Sequence, residues 1–175
     1  KKGMVAMKGS YHGKSFGALS LTFNPKYRKA FSPLVEKVSF ASFGDMDSLR
    51  SVIDEDTACI ILEPIQGESG IIVAPDGFLQ EVRNLCNEKG ILLIFDEIQA
   101  GLGRTGRLWA GEHWNTTPDI LCLAKGIAGG VPMGATLVRP DILAAISKGE
   151  HSSTFGGNPI SCAAGIAALT SITED

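Results

Sequence analysis

Three segments carry side chains whose types and placing suit chemistry. In ILLIFDEIQAGLGRTG an apolar run ends on Asp96 and Glu97 and then turns through glycines, so a carboxylate stands where a strand stops. In DILCLAKGIAGGVPMGA, Lys125 directly follows another apolar run and precedes a glycine-rich bend. A lysine so placed is expected to be partly desolvated, which favours the neutral amine, the form that attacks an aldehyde carbonyl. In HSSTFGGNP the hydroxyls of Ser152, Ser153 and Thr154 stand beside Gly156 and Gly157, a composition suited to close approach of a phosphate. Each segment also has a blander reading: an acid capping the next turn, a surface lysine, a Ser/Gly turn. Together, Lys125 and Asp96 match what an aldehyde cofactor with a pyridine ring needs. The amine is the tether, and the carboxylate keeps the ring nitrogen protonated so that the ring acts as an electron sink.

The elements around these residues follow from apolar runs bounded by Gly, Pro or acids. Buried strands are expected at Met4–Met7, Val38–Ala41, Ala58–Leu62, Ile91–Phe95, Ile120–Leu123 and Ala135–Val138. Helical spacing falls between them: Phe78–Asn87 after the Pro75-Asp76-Gly77 turn and stopped by Gly90, shorter pieces at Asp45–Ile53 and Pro140–Ile146, and Ser161–Ile172 near the end. Strands alternating with helices imply an α/β fold, a mostly parallel sheet flanked by helices and joined by right-handed crossovers. In such sheets ligands lie outside the carboxyl ends of the strands. The segments there are Gly9–Ser15, Glu63–Gly70, Asp96–Gly103, Lys125–Gly130 and Ser152–Asn158.

At 175 residues the chain has the size of one domain with a real core. Its net charge of −3 and lack of a long Lys/Arg run argue against a nucleic-acid partner. No apolar run is long enough to span a bilayer, and a cytoplasmic protein is expected. Cys59, Cys86, Cys122 and Cys162 lack metal-site spacing and read as buried free thiols, so no metal is expected. The first residues already read as a strand and the last as a helix, which suggests the central part of a longer chain.

SYHGKSFGALS, ILEPIQGESGI, LIFDEIQAGLGRTG, LAKGIAGGVPMGA and STFGGNP resemble, in order, the motif series of the class III pyridoxal-phosphate-dependent aminotransferases, the acetylornithine, ornithine and putrescine group. The resemblance spans essentially the whole chain. It implies the large domain of fold type I transferases over residues 1–175, with pyridoxal 5′-phosphate (PLP) as cofactor. By motif, Lys125 would carry the cofactor as a Schiff base, Asp96 would pair with the pyridinium nitrogen, Gln99 would reach the phenolic oxygen, and Ile98 would pack on the ring. Tyr11 would stack on the opposite face beside His12, and Thr154 would reach the cofactor phosphate of a neighbouring subunit in a homodimer. Glu68 resembles the family's switch acid, whose arginine would follow Asp175, and Glu63 reads as structural. The loop that grips most of the phosphate would precede Lys1. The implied reaction is ping-pong transamination from an amine or ω-amino acid to a 2-oxo acid such as 2-oxoglutarate, and a chain lacking those flanks is expected to be inactive by itself.

Lys14 stands where many ornithine-type members have arginine, and lysine lacks the two-pronged grip of guanidinium on a carboxylate. Acetylornithine, ornithine and diamine donors therefore all stay open, with Lys14 and Glu68 as candidate substrate contacts. Two rivals remain. A P-loop nucleotidase is disfavoured because Gly9 and Gly13 enclose three residues where the phosphate loop needs four. A non-catalytic module of the same fold is disfavoured by the joint presence of Asp96, Gln99, Lys125 and Thr154.

Overall fold

The apolar runs form strands, and glycines and capping side chains set where the helices begin and end. The computed structural model describes residues 1–174. In chain order it contains β1 (Gly3–Met7), α1 (Phe16–Leu21), α2 (Pro25–Arg28), β2 (Val38–Ala41), α3 (Met46–Val52), β3 (Thr57–Leu62), β4 (Ile65–Gln66), β5 (Ile72–Val73), α4 (Phe78–Lys89) and β6 (Leu92–Asp96). It continues through β7 (Ile120–Leu123), β8 (Ala135–Val138), α5 (Pro140–Leu143) and α6 (Pro159–Glu174). All six expected strands are present within a residue at either end. The shift of β6 by one residue puts Asp96 inside the strand.

The main sheet has the order β2-β1-β3-β6-β7-β8. Its first five strands are parallel, with Val5 opposite Ile60, Leu62 opposite Phe95 and Asp96 opposite Cys122. Strand β8 returns antiparallel to β7. The carboxyl ends of β1, β3, β6 and β7 therefore share one edge. The chain leaves β1 towards β2 on one side and leaves β3 towards β6 on the other, so the order reverses between β1 and β3, where α/β sheets open a crevice.

The helices are held by local chemistry. Asp45 accepts a hydrogen bond from Ser48 N (2.9 Å) and caps α3, while Gly77 and Gly90, both left-handed, bracket α4. The buried face of α4 (Phe78, Leu79, Val82, Leu85, Cys86) joins Val5, Met7, Ile60, Leu62, Leu93 and Phe95 of the sheet in one core. Near the start of β7, Asp119 accepts from Leu93 N (2.7 Å), Arg83 (2.9 Å) and Arg139 (2.5 Å). That knot ties α4, β6 and β7 together opposite the edge where their functional residues emerge. The four cysteines are free; burial pushes Cys59 and Cys122 up to about 11 and Cys86 to about 12, so their thiols stay protonated near neutral pH. Among the described residues no helix is long and apolar enough to cross a membrane.

Candidate active site

Asp96 ends β6 with its carboxylate buried, and its two oxygens have different partners. Oδ2 meets His12 Nδ1 at 2.7 Å, and Oδ1 accepts from Ile98 N at 3.1 Å. The second contact is the turn cap that the blander sequence reading allowed for, so Asp96 plays that part as well. His12 comes from the loop after β1 and is buried; its backbone N donates to Thr22 Oγ1 (3.0 Å), which fixes the loop. His12 Nε2 is buried without a hydrogen-bond partner among the described residues. The pair joins strands β1 and β6 across β3, with Glu63 at the end of β3 accepting from Tyr11 N (3.2 Å). Burial pushes the Glu63 carboxyl up to about 7, opposed by the attraction of His12 and by the Tyr11 and Gly67 backbone hydrogen bonds.

Lys125 emerges after β7 and opens a 3-10 turn over Lys125–Ala128 with φ +50. Left-handed backbone at a residue with a side chain costs on the order of 1–3 kcal/mol and concentrates at functional positions. Its Nζ donates to Gln99 Oε1 at 3.2 Å. The side chain is exposed, which corrects the expected desolvation: the 3-10 turn carries Lys125 out of the sheet edge into an open cleft. That cleft, about 590 Å³, is lined by Lys125, Gln99, Ile98, Gly67 and, further along, Ile71 and Arg104.

The other expected residues are distributed around this centre. Tyr11 and Glu68 line a neighbouring cleft of about 340 Å³ with Phe23 and Tyr27. There Tyr11 meets Tyr27 edge-on (5.6 Å between ring centroids), and Lys14 Nζ lies 5.0 Å from the Tyr27 ring centre. Thr154 is exposed in the turns before α6 and lines neither cleft.

Two residues that sequence reasoning left without a role support the site directly. A Cβ on Gly67 would lie 2.3–2.5 Å from the Gln99 amide atoms, so only glycine leaves Gln99 in reach of Lys125. Glu97 is buried and its carboxylate accepts from Ala110 N (2.6 Å) and Gly111 N (2.8 Å), anchoring the far end of the loop that follows Gln99. Burial raises the Glu97 carboxyl above its ordinary value. The glycine of EPIQGE and the second acid of FDE were the visible signals.

Comparisons agree with this geometry. A family model described as aminotransferase class-III matches residues 1–175. The chain is 50% identical over 171 residues to an acetylornithine aminotransferase of Methanopyrus kandleri, covering 98% of this chain and 44% of that protein. It is 49% identical over 173 residues to ornithine aminotransferase 1 of Staphylococcus saprophyticus, with the same coverage. The crystal structure of ornithine aminotransferase from Toxoplasma gondii superposes with a TM-score of 0.94 at 37% identity, over 98% of this chain and 41% of that one. An amine transaminase from an uncultivated Pseudomonas species, solved in its PLP-bound form, gives 0.90 at 31% identity, over 98% and 46%. The chain thus spans less than half the length of each. Full-length match of the family model, half-identical relatives and a shared α/β sheet lead to one statement: the chain belongs to the class-III aminotransferase family.

Proposed function

We propose that this chain is the PLP-binding large domain of an aminotransferase that moves an amino group from acetylornithine, ornithine or a diamine to a 2-oxo acid such as 2-oxoglutarate. The observation that carries it is the junction at the sheet's carboxyl edge: a buried Asp96–His12 pair directly preceding a cleft in which Lys125 meets Gln99. The residues fit the cofactor. Two contacts leave Asp96 with spare acceptor capacity, since a carboxylate offers about four lone-pair sites. Gly67 keeps the space beside Gln99 free of a side chain, and the cleft is within the size range of cofactor sites.

When bound, PLP supplies the electron sink that makes the Cα–H of an amine removable. Asp96 would hold the ring nitrogen's proton by a charge-assisted hydrogen bond, and His12 fixes the rotamer of Asp96 by occupying Oδ2. Lys125 Nζ would hold the cofactor's aldehyde as a Schiff base and, once freed by the amine substrate, would serve as the general base and acid that takes up and returns the substrate's Cα proton. Gln99 would reach the cofactor's phenolic oxygen, and its Oε1 accepts from Lys125 Nζ. Ile98 would give the ring an apolar contact and Tyr11 would stack on its other face, while Glu68 would meet the substrate from the neighbouring cleft. Thr154 contributes to the cofactor phosphate across a homodimer interface, a reading supported by the exposed Phe155, Ile160 and Ile166 beside it. The test is the half-reaction without 2-oxo acid, run on the whole aminotransferase that contains this domain: N-acetylornithine, ornithine or putrescine should change the absorbance of the PLP-loaded enzyme. No change with any of the three would overturn the proposal.

A further inference from the structure

The loop Gly101–Leu108 offers a group the proposed mechanism does not use. Leu102 N (2.7 Å) and Gly103 N (3.3 Å) both donate to Leu108 O, Arg104 N donates to Gly101 O (3.4 Å), and Gly106 N to Gly103 O (3.0 Å). Gly103 and Gly106, at φ +79 and +83, make the two sharp bends this closed loop requires. Thr105 is tied in place by His113 Nε2, 3.1 Å from both its carbonyl and its hydroxyl oxygen. The rigid tip puts Arg104 and Thr105 in the lining of the Lys125 cleft. The lining contains two cations, Arg104 and Lys125, and no acid. Among the described residues the Arg104 guanidinium forms no ion pair, unlike Arg83 and Arg139.

An arginine without an ion pair in the lining of a cleft with apolar walls at Ile65, Ile71 and Ile98 is a candidate receptor for an organic anion. The loop itself distinguishes which kind. Phosphate sites use several converging backbone N–H groups, but the N–H groups of Leu102, Gly103, Arg104 and Gly106 are spent on the loop's own carbonyls. Among the side chains lining the cleft Arg104 alone offers a planar fork, which suits the two oxygens of a carboxylate. We infer that Arg104 forms a carboxylate subsite in the Lys125 cleft, where it grips a carboxylate of the acid substrate while the apolar wall contacts its carbon chain. This rests on the proposed function for the identity of the acid, and on the cleft alone for the subsite.

The test uses glutarate, a dicarboxylate with no oxo group to react, titrated calorimetrically into the cofactor-free protein, with PLP retention on dialysis measured separately. Arg104 is exposed, so Arg104→Ala should fold normally. It should weaken glutarate by about tenfold to a hundredfold and leave PLP retention unchanged. Arg104→Lys should recover only part of the affinity, because an ammonium lacks the fork. Glutarate affinity equal in wild type and Arg104→Ala, or no glutarate binding at all, would overturn the inference. So would loss of PLP retention with glutarate unaffected, which would make the anion the cofactor's phosphate. A wild-type protein that binds glutarate through Arg104 but does not retain PLP would sink the proposed function and leave the subsite standing.

Discussion

Replacing Asp96 separates what it does for the fold from what it does for the cofactor. Asp96→Ala removes the 2.7 Å partner of His12, leaves both buried ring nitrogens without a partner, and frees the Ile98 N–H. Leaving buried polar groups unpaired in this way costs about 1–3 kcal/mol each. Asp96→Asn keeps the shape and an acceptor for Ile98 N, and its amide NH2 can donate to His12 Nδ1 if that nitrogen carries no proton, which replaces a charge-assisted bond by a neutral one at about 1–2 kcal/mol. Stability should therefore rank wild type, Asn, Ala in denaturant unfolding. Activity should not follow that ranking. Neither variant offers the ring nitrogen a charged partner, and losing a bond worth about 1.5–3 kcal/mol means a fall of about tenfold or more in turnover for both. Asp96→Glu, which keeps the charge, should be less harmed than Asp96→Ala. An Asn variant with wild-type turnover would refute the cofactor role, whatever its stability.

Gly67→Ala should change unfolding stability by less than about 1 kcal/mol, because the Cβ meets only the movable end of exposed Gln99. It should nevertheless weaken PLP retention about twofold to tenfold by displacing Gln99 from Lys125, and an unchanged cofactor affinity would remove Gln99 from the site. Glu63 gives a pH signature. Its carboxyl titrates at about 7 in the fold against an ordinary value of 4.5, so between those values the folded protein binds the extra proton. Stability should then fall as pH rises through that window, by up to about 3 kcal/mol, and Glu63→Gln should flatten the slope in unfolding curves taken from pH 4.5 to 8. Burial of Glu97 acts in the same direction, so part of the slope should survive the substitution.

The strands were legible because each is a short apolar run ending in Gly, Pro or an acid, and a mostly parallel sheet follows from strands alternating with helices. The hairpin of β4 and β5 was not, since two-residue strands carry no alternation to read. Helices α1 and α2, of six and four residues, are too short for a periodic signal, and only α2 has a side-chain cap, Asn24 accepting from Lys26 N. In the site, residue types at strand ends pointed to Asp96 and Lys125. Their partners depend on the order β1-β3-β6, which brings His12 to Asp96 across 84 residues of sequence. The expected desolvation of Lys125 failed for a local reason: apolar residues before a lysine describe the strand it leaves, and the left-handed turn that follows decides what it faces.

The most direct measurement is where the cofactor attaches. The protein, loaded with PLP and reduced with borohydride, should yield a single pyridoxyl-bearing peptide spanning Leu123–Ala128 with the label on Lys125, and Lys125→Ala should yield none. A label on Lys8, Lys14 or any other lysine, or undiminished labelling in Lys125→Ala, would contradict the account at its centre.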